Sequence, residues 1–341
     1  MRALKQEQEP ARDEVVEVAP GILRMQLPIN FTGLGHVNMY GLVDDRGIAV
    51  VDPGLPEGAS WDAIGARLAA AGFGIGRVHT VVVTHSHPDH FGGAGRLAEE
   101  AGARIVTHDD FLIPWLVGGE PDLASLDDAF LQRRAPWSNE PISLSDEQRR
   151  AGSAFGGSGG FPPPVPTTRV GHGEEIELGA RRWVALHTPG HTSDHLCLYD
   201  RETGVLLTGD HVLPSITPHI AGVGSSDDVL SDYLASLREV AKLDVTLALP
   251  AHGHPFSDVA GRVAAINEHH QRRLEDLRRI GLALGWAPVN EYARQLFSRE
   301  HWGFMAQSET YAHLEHLRLR GDAVAKEVDG EVRFCFSEMN G

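Results

Sequence analysis

The sequence predicts a layered α/β fold, on three observations. Short apolar strands alternate with helical segments over the first hundred residues. Turn residues separate them, within a total of 38 Gly and 20 Pro. Histidine and aspartate recur directly after strands, and in layered α/β folds the strand ends are where ligands gather. The 341 residues suffice for one large domain and a small one, and 42 % hydrophobic with 23 % charged residues is ordinary for a globular chain.

Residues 1–17 read as a frayed polar lead. Strands are expected at 22–27, 39–43 and 47–52, the last ending at Asp52-Pro53-Gly54. Ile64, Leu68 and Ala71 have helical spacing within 61–71, with Gly72 as the stop. Residues 78–83 form an apolar strand, followed by a helix from near Gly93 to Ala101 and a strand at 103–107. This order implies an α/β layered core. Residues 109–168 scatter Phe111, Trp115, Phe130, Trp137, Phe155 and Phe161 through polar and Gly/Pro-rich sequence, which predicts a long insertion acting as a lid. Strands resume at 182–187, 196–199 and 205–208, then a helix at 227–242 and a strand at 245–249. Helices at 263–284, 290–297 and 310–320 precede a hairpin turning at Asp329-Gly330, the order of a winged-helix module. The expected domains are therefore 18–260 and 261–341, with a flexible lead at 1–17.

The net charge of −17 argues against general attraction to nucleic acid or anionic lipid. Two cysteines, Cys197 and Cys335, make no disulfide framework and read as buried small hydrophobes, so a reducing cytoplasm is expected. Residues 1–20 lack the apolar core of a signal peptide, and no stretch has membrane-spanning length.

The chemistry is concentrated in Thr84-His85-Ser86-His87-Pro88-Asp89-His90. Imidazole and carboxylate are good ligands for first-row metals, and core packing gives no reason to cluster them. His85 and His87 point the same way on an extended segment. Pro88 then turns the chain, and Asp89 and His90 follow on that turn. Two ligand pairs suit two neighbouring metals. His191 after Thr188-Pro189-Gly190, Asp210 after Thr208-Gly209, and His252 after Pro250-Ala251 each follow a strand.

In this order and spacing the motifs over residues 20–256 resemble the metallo-β-lactamase fold superfamily, whose early strand-end motif Asp52-Pro53-Gly54 also fits. The resemblance implies an αββα sandwich with a dinuclear site at one edge. It implies that His85, His87 and His191 hold one metal, that Asp89, His90 and His252 hold the second, and that Asp210 bridges them. Asp at 210 is the choice of hydrolytic, glyoxalase-II-like members rather than of true β-lactamases. Two divalent ions, zinc first with iron or manganese as alternatives, bring a shared water to hydroxide near neutral pH. Asp89 is expected to orient that nucleophile and shuttle its proton. The tail resembles the winged-helix-like module of a subgroup that includes bacterial hydrolases and a mitochondrial endoribonuclease, through His269-His270-Gln271-Arg272-Arg273-Leu274 and Ala312-His313-Leu314-Glu315-His316-Leu317. It shows no dense basic stripe, so packing on the core, a pocket wall or a homodimer contact is preferred to nucleic-acid binding.

Other groups are weighed singly. His195 reads as a partner of the ligands or a buried structural histidine. His219, His254 and Trp115 are candidate substrate contacts, His108 ends a strand and is assigned no role, His79 and His187 are ordinary strand positions, and Tyr233 reads as packing. The expected function is hydrolysis of a small carbonyl substrate, a thioester, lactone or related ester, by a metal-bridging hydroxide. The alternatives are a metal-dependent phosphodiesterase or endoribonuclease, and a non-hydrolytic iron-dependent member of the superfamily.

Overall fold

The computed structural model describes residues 4–31, 33–111, 135–138, 164–222 and 226–336. A first sheet holds seven strands in chain order: β1 (Val15–Ala19), β2 (Ile22–Phe31), β3 (Leu34–Asp44), β4 (Gly47–Val51), β5 (Val78–Val82), β6 (Arg104–His108) and β7 (Thr168–Val170). Strands β1 to β4 pair antiparallel, and β4 to β7 parallel. Parallel neighbours need crossovers. Helices α1 (Gly58–Ala70) and α2 (Pro88–Ala101) supply two of them. The second sheet runs β12-β11-β10-β9-β8, from β8 (Glu175–Leu178), β9 (Arg181–His187), β10 (Leu196–Asp200), β11 (Val205–Gly209) and β12 (Leu247–Pro250). Its one parallel pair, β11 with β12, is connected through α3 (Val229–Val240).

Strand alternation explains the layering. In β4, Ile48 and Val50 pack outward with Ile64 and Leu68 of α1 and Leu97 of α2. Ala49 and Val51 turn inward and meet Trp183, Leu198 and Leu207 of the second sheet. That sheet's outer face, through Cys197, Tyr199 and Leu206, is covered by Leu230, Tyr233 and Leu237 of α3 and by the C-terminal helices. The order is helix, sheet, sheet, helix, and each fully buried aliphatic side chain contributes about 1.5–3 kcal/mol. The C-terminal part holds α4 (Val259–Leu284), α5 (Val289–Leu296), α6 (Phe304–Leu319) and the sheet β13-β15-β14, from β13 (Ala287–Pro288), β14 (Val324–Val328) and β15 (Glu331–Cys335). Its hairpin turns at Asp329 and Gly330, both at positive φ as a two-residue Asp-Gly turn requires. Among the described residues no helix is long and apolar enough to cross a membrane.

Several sequence expectations change. Helix α2 begins at Pro88, not near Gly93, because proline at the first helical position is preset for the helix and lacks only an N–H that would be unbonded anyway. Asp89 and His90 therefore lie on its first turn, not on an open turn. The described part of the lead is docked, not frayed: a 3-10 turn at Gln6–Gln8 buries Glu7 completely, and β1 starts at Val15. Cys197 is buried, but Cys335 is only half-buried. Most of the expected 109–168 lid, with Trp115, Phe130, Phe155 and Phe161, lies outside the described residues. Within it Trp137 is buried, donates from Nε1 to Gln307 Oε1 at 3.1 Å and packs beside Phe304 and Tyr311 of α6.

Candidate metal centre

The strands and helix bring the separated motifs to one sandwich edge. Leu196 N–H donates to the Thr84 carbonyl at 2.8 Å, and Ala251 N–H to the Gly209 carbonyl at 3.0 Å, so the loop after β5 is tied to the start of β10 and the loop after β12 to the end of β11. The N-terminal turn of α2 packs on the loop after β4: a Cβ on Gly93 would sit 2.3 Å from the Pro53 carbonyl oxygen. Glycine thereby lets the helix end approach closely enough to place Asp89 and His90. Asp89 sits in the first turn, where the helix dipole favours a carboxylate.

Two groups of ligand atoms result, each within 4.8 Å: His85, His87, His191 with Asp210, and Asp89, His90 with His252. In the first, His87 Nδ1 lies 3.0 Å from His85 Nε2 and 3.1 Å from His191 Nε2. In the second, Asp89 Oδ2 is 3.5 Å from His90 Nε2 and 3.4 Å from His252 Nε2. Asp210 touches both groups. Its Oδ2 is 3.6 Å from His191 Nε2 and from His90 Nε2, and its Oδ1 is 3.4 Å from His252 Nε2.

The surrounding hydrogen bonds settle which ring nitrogen carries the proton. His191 Nδ1 donates to the His219 carbonyl at 2.7 Å, and His252 Nδ1 to the His36 carbonyl at 2.6 Å. His90 Nδ1 donates to Asp52 Oδ2 at 2.9 Å. The Thr84 hydroxyl donates to Asp52 at 2.7 Å and so accepts from His85 Nδ1 at 3.0 Å. A carbonyl or a carboxylate only accepts, so Nδ1 of His85, His191, His90 and His252 carries a proton and points outward, leaving Nε2 of each ring as the inward atom. His195, buried, belongs to the same scaffold: its Nε2 accepts the Asp210 backbone N–H at 3.0 Å, and its Nδ1 faces the Thr188 hydroxyl at 2.8 Å.

Electrostatics divide the two groups. Burial, then repulsion from neighbouring imidazoles, drives the His85 and His87 pKa values well below the ordinary histidine value, so both stay neutral. Burial also disfavours charge on His90, but Asp89, Asp210 and Asp52 outweigh it and push its pKa up to about 10. For Asp210, burial opposes ionisation, yet His252 and His90 hold it well below the carboxylate range. The pocket thus draws positive charge to itself. His90 Nε2, His252 Nε2 and Asp210 Oδ1 are buried without a hydrogen-bond partner, which is costly unless something fills the space between them. Lone pairs about 3 Å apart fit a common ion, given metal–nitrogen bonds of about 2.0–2.1 Å. The donor set fits divalent metal.

A third group, His108, Asp110 and His187, has the right residue types but not the freedom. His187 Nε2 is committed to the Ser193 carbonyl at 2.7 Å, and His108 Nδ1 accepts the Asp110 N–H at 3.1 Å. Their rings stack 3.9 Å apart at 17°, so their lone pairs do not converge.

Among the expected substrate contacts, Trp115 lies outside the described residues. His254 lies on the rim with both ring nitrogens engaged, by Arg24 at 3.3 Å and Glu9 at 3.1 Å. His219 follows Asp210 on its loop, with its side chain 20 % exposed. Tyr233 packs, with its hydroxyl donating to the His211 carbonyl at 2.9 Å. Asp52 was read only as part of a strand-end motif, yet it organises the site: its carboxylate receives Thr84 N–H, Thr84 hydroxyl and His90 Nδ1. Glu7, His36 and Glu309 carried no sequence signal, because their roles depend on partners far along the chain.

Comparison with known proteins agrees with this geometry. The family model described as the metallo-beta-lactamase superfamily matches residues 32–252. A Bacillus subtilis protein named "Probable metallo-hydrolase YqjP" is 27 % identical over 305 residues, covering 87 % of this chain and 92 % of that one. A fungal atrochrysone carboxyl ACP thioesterase from Cryptosporiopsis is 27 % identical over 258 residues, covering 74 % of this chain and 61 % of its own length. Among solved structures, a metallo-beta-lactamase family protein from Thermus thermophilus superposes with a TM-score of 0.78 at 30 % identity, covering 94 % of this chain and all (100 %) of that one. A beta-lactamase domain protein from Burkholderia ambifaria gives 0.75 at 29 % identity, covering 96 % of each chain.

Proposed function

The chain belongs to the metallo-β-lactamase superfamily, and from that membership we propose that it is a dinuclear, zinc-dependent hydrolase of a small acyl substrate, with a thioester as the first choice and a lactone or related ester as the second. The observation that carries this reading is Asp210, whose two carboxylate oxygens lie within 3.6 Å of His191 and His90 and 3.4 Å of His252. A carboxylate so placed can bridge two ions. In this reading His85, His87 and His191 hold the first ion, and Asp89, His90 and His252 hold the second.

Bound ions supply positive charge that polarises a carbonyl oxygen and acidifies water. The protein's own groups do the rest. Asp89, fixed at the start of α2, orients the attacking water and takes up its proton. Asp52, Thr84, His36 and the His219 carbonyl hold the ligand imidazoles in one tautomer, so no reorientation is needed on substrate binding. His219 contacts the substrate, and His254 fixes the rim. The thioester preference is supported by two fungal relatives named as acyl-carrier thioesterases, and the net charge of −17 disfavours a polyanionic phosphodiester.

The test is a panel of an acyl thioester, a lactone and a phosphodiester, each with and without chelator. Chelator-sensitive turnover of the thioester or lactone is expected, with His87→Ala lowering it at least about a hundredfold. Turnover of the phosphodiester alone would overturn the substrate class, and full activity in His87→Ala would overturn the metal centre.

A further inference from the structure

We propose that Glu309, on the C-terminal helix α6, is a positioning residue for the metal centre, acting through His219 on the ligand His191. This rests on the metal-centre reading above and adds the C-terminal helices to it.

His219 stands on the loop that leaves Asp210. Its carbonyl accepts from His191 Nδ1 at 2.7 Å, the bond that turns His191 Nε2 inward. Its own ring Nδ1 meets Glu309 Oε2 at 3.4 Å, and since a carboxylate only accepts, the imidazole donates. The other oxygen of Glu309 faces Arg273 Nε of α4 at 3.2 Å, with the two side chains only 14 % and 19 % exposed. Burial opposes the Glu309 charge, but His219 and Arg273 outweigh it and keep the carboxyl ionised far below its usual range. A second tie lies three residues on: Gly222 N–H donates to Ser308 Oγ at 3.0 Å. A Cβ on Gly222 would sit 2.7 Å from the Ser308 carbonyl oxygen and 2.6 Å from Tyr311 Cδ1, so the loop lies directly against α6. The helix is itself held, by His313 of α6 against His270 of α4 at 3.0 Å and by Trp137 on Gln307. The chain of contact is therefore Arg273, Glu309, His219, His191, and its last member faces the pocket.

If α6 merely packed on the core, Glu309 would affect overall stability and nothing specific to the site. The distinguishing experiment uses the full chain as wild type, Glu309→Ala, Glu309→Gln, His219→Ala and the Glu309→Ala/His219→Ala double variant. Zinc affinity is measured by competition with a chelating dye, and KM and kcat on the acyl substrate that is turned over. Glu309→Ala is expected to weaken zinc binding about ten- to a hundredfold, the range for groups that orient ligands. Its KM should rise while the melting temperature of the metal-free protein stays close to that of wild type. Glu309→Gln keeps an acceptor for His219 and should recover zinc affinity to within about threefold of wild type. The double variant should be no weaker than the worse single one, because both changes cut the same link. Zinc affinity of Glu309→Ala within twofold of wild type, or losses that multiply in the double variant, overturns the proposal. If Glu309→Ala fails to fold, His219→Ala decides: it must weaken zinc binding about tenfold, and unchanged affinity refutes the link. Wild type that binds no zinc removes the metal-centre reading itself, whereas zinc-binding wild type with indifferent variants removes only the role of Glu309.

Discussion

Asp52 shows how much one residue can organise. It is buried, at φ +56°, a left-handed conformation that aspartate and asparagine tolerate better than other side chains. From there one carboxylate receives Thr84 N–H at 2.8 Å, Thr84 hydroxyl at 2.7 Å and His90 Nδ1 at 2.9 Å. Asp52→Asn keeps the backbone compatible but replaces one acceptor oxygen with a donor that opposes Thr84 or His90. Zinc retention after dialysis against chelator should fall about ten- to a hundredfold. Asp52→Ala should in addition lose roughly 1–2 kcal/mol from the left-handed backbone, seen in urea unfolding. Retention equal to wild type in Asp52→Asn would show that His90 needs no such partner. That the seven residues from His85 to His252 share one edge was legible in the sequence because His and Asp are unusual choices directly after strands, and the motifs keep each of them beside a strand end. Asp52 was half-legible, as a motif without a role. Glu309 was not legible at all, since an isolated glutamate on a helix looks like any solvated charge until His219 is found opposite it.

The elements repeat the same lesson. Strands such as β4, β5 and β11 announced themselves through continuous apolar runs bounded by turn residues, and α4 through its amphipathic spacing. Strands β1, β7 and β8 span only five, three and four residues, too short for periodicity to reveal them, and sheet neighbours complete them. Pro88, expected only to turn the chain, starts α2, because the ring that ends a strand is also preset for the first helical position. The lead was read from polarity alone. In the fold Glu7 is fully buried and its Oε1 accepts Ser215 N–H at 2.7 Å and Ile216 N–H at 3.0 Å, while Oε2 takes the Ser215 hydroxyl. Beside it Gln6 Oε1 receives His254 N–H at 3.1 Å, and the Glu9 carbonyl faces His36 Nδ1 at 2.7 Å. Glu7→Ala leaves the half-buried amides of Ser215 and Ile216 unpaired, which costs on the order of 1–3 kcal/mol. Chemical denaturation should report that loss. A loss below about 0.5 kcal/mol would mean that water replaces the carboxylate and the lead is dispensable.

Across the whole molecule the C-terminal helices join the sandwich through a polar seam as well as an apolar one. His270 and His313 are both buried; burial, with repulsion from His313, pushes the His270 pKa down to about 2, and burial against the opposing pull of Glu309 pushes that of His313 down to about 4. His313 Nδ1 donates to the Glu309 carbonyl at 2.7 Å, so its Nε2 accepts from His270 Nδ1. Both folded values lie below the ordinary 6.5, so below that pH the unfolded chain takes up protons that the folded chain refuses. Stability from this pair is whole above about pH 6.5 and falls with acid, by about 1.4 kcal/mol per pH unit for each imidazole. Urea unfolding of metal-free protein at pH 7.5 and 5.5 should show this, and His313→Gln should flatten the slope by one proton's worth. An unaltered slope would mean that His313 is not neutral in the folded chain. The docked lead also has a temporal meaning. Glu7 and Ser215 are 208 residues apart in the chain. At synthesis rates of roughly 5–20 residues per second, Glu7 leaves the peptidyl-transferase centre about 10–40 s before its partner exists. The rim that the lead completes is therefore assembled late, after the whole first sheet and most of the second have been synthesised.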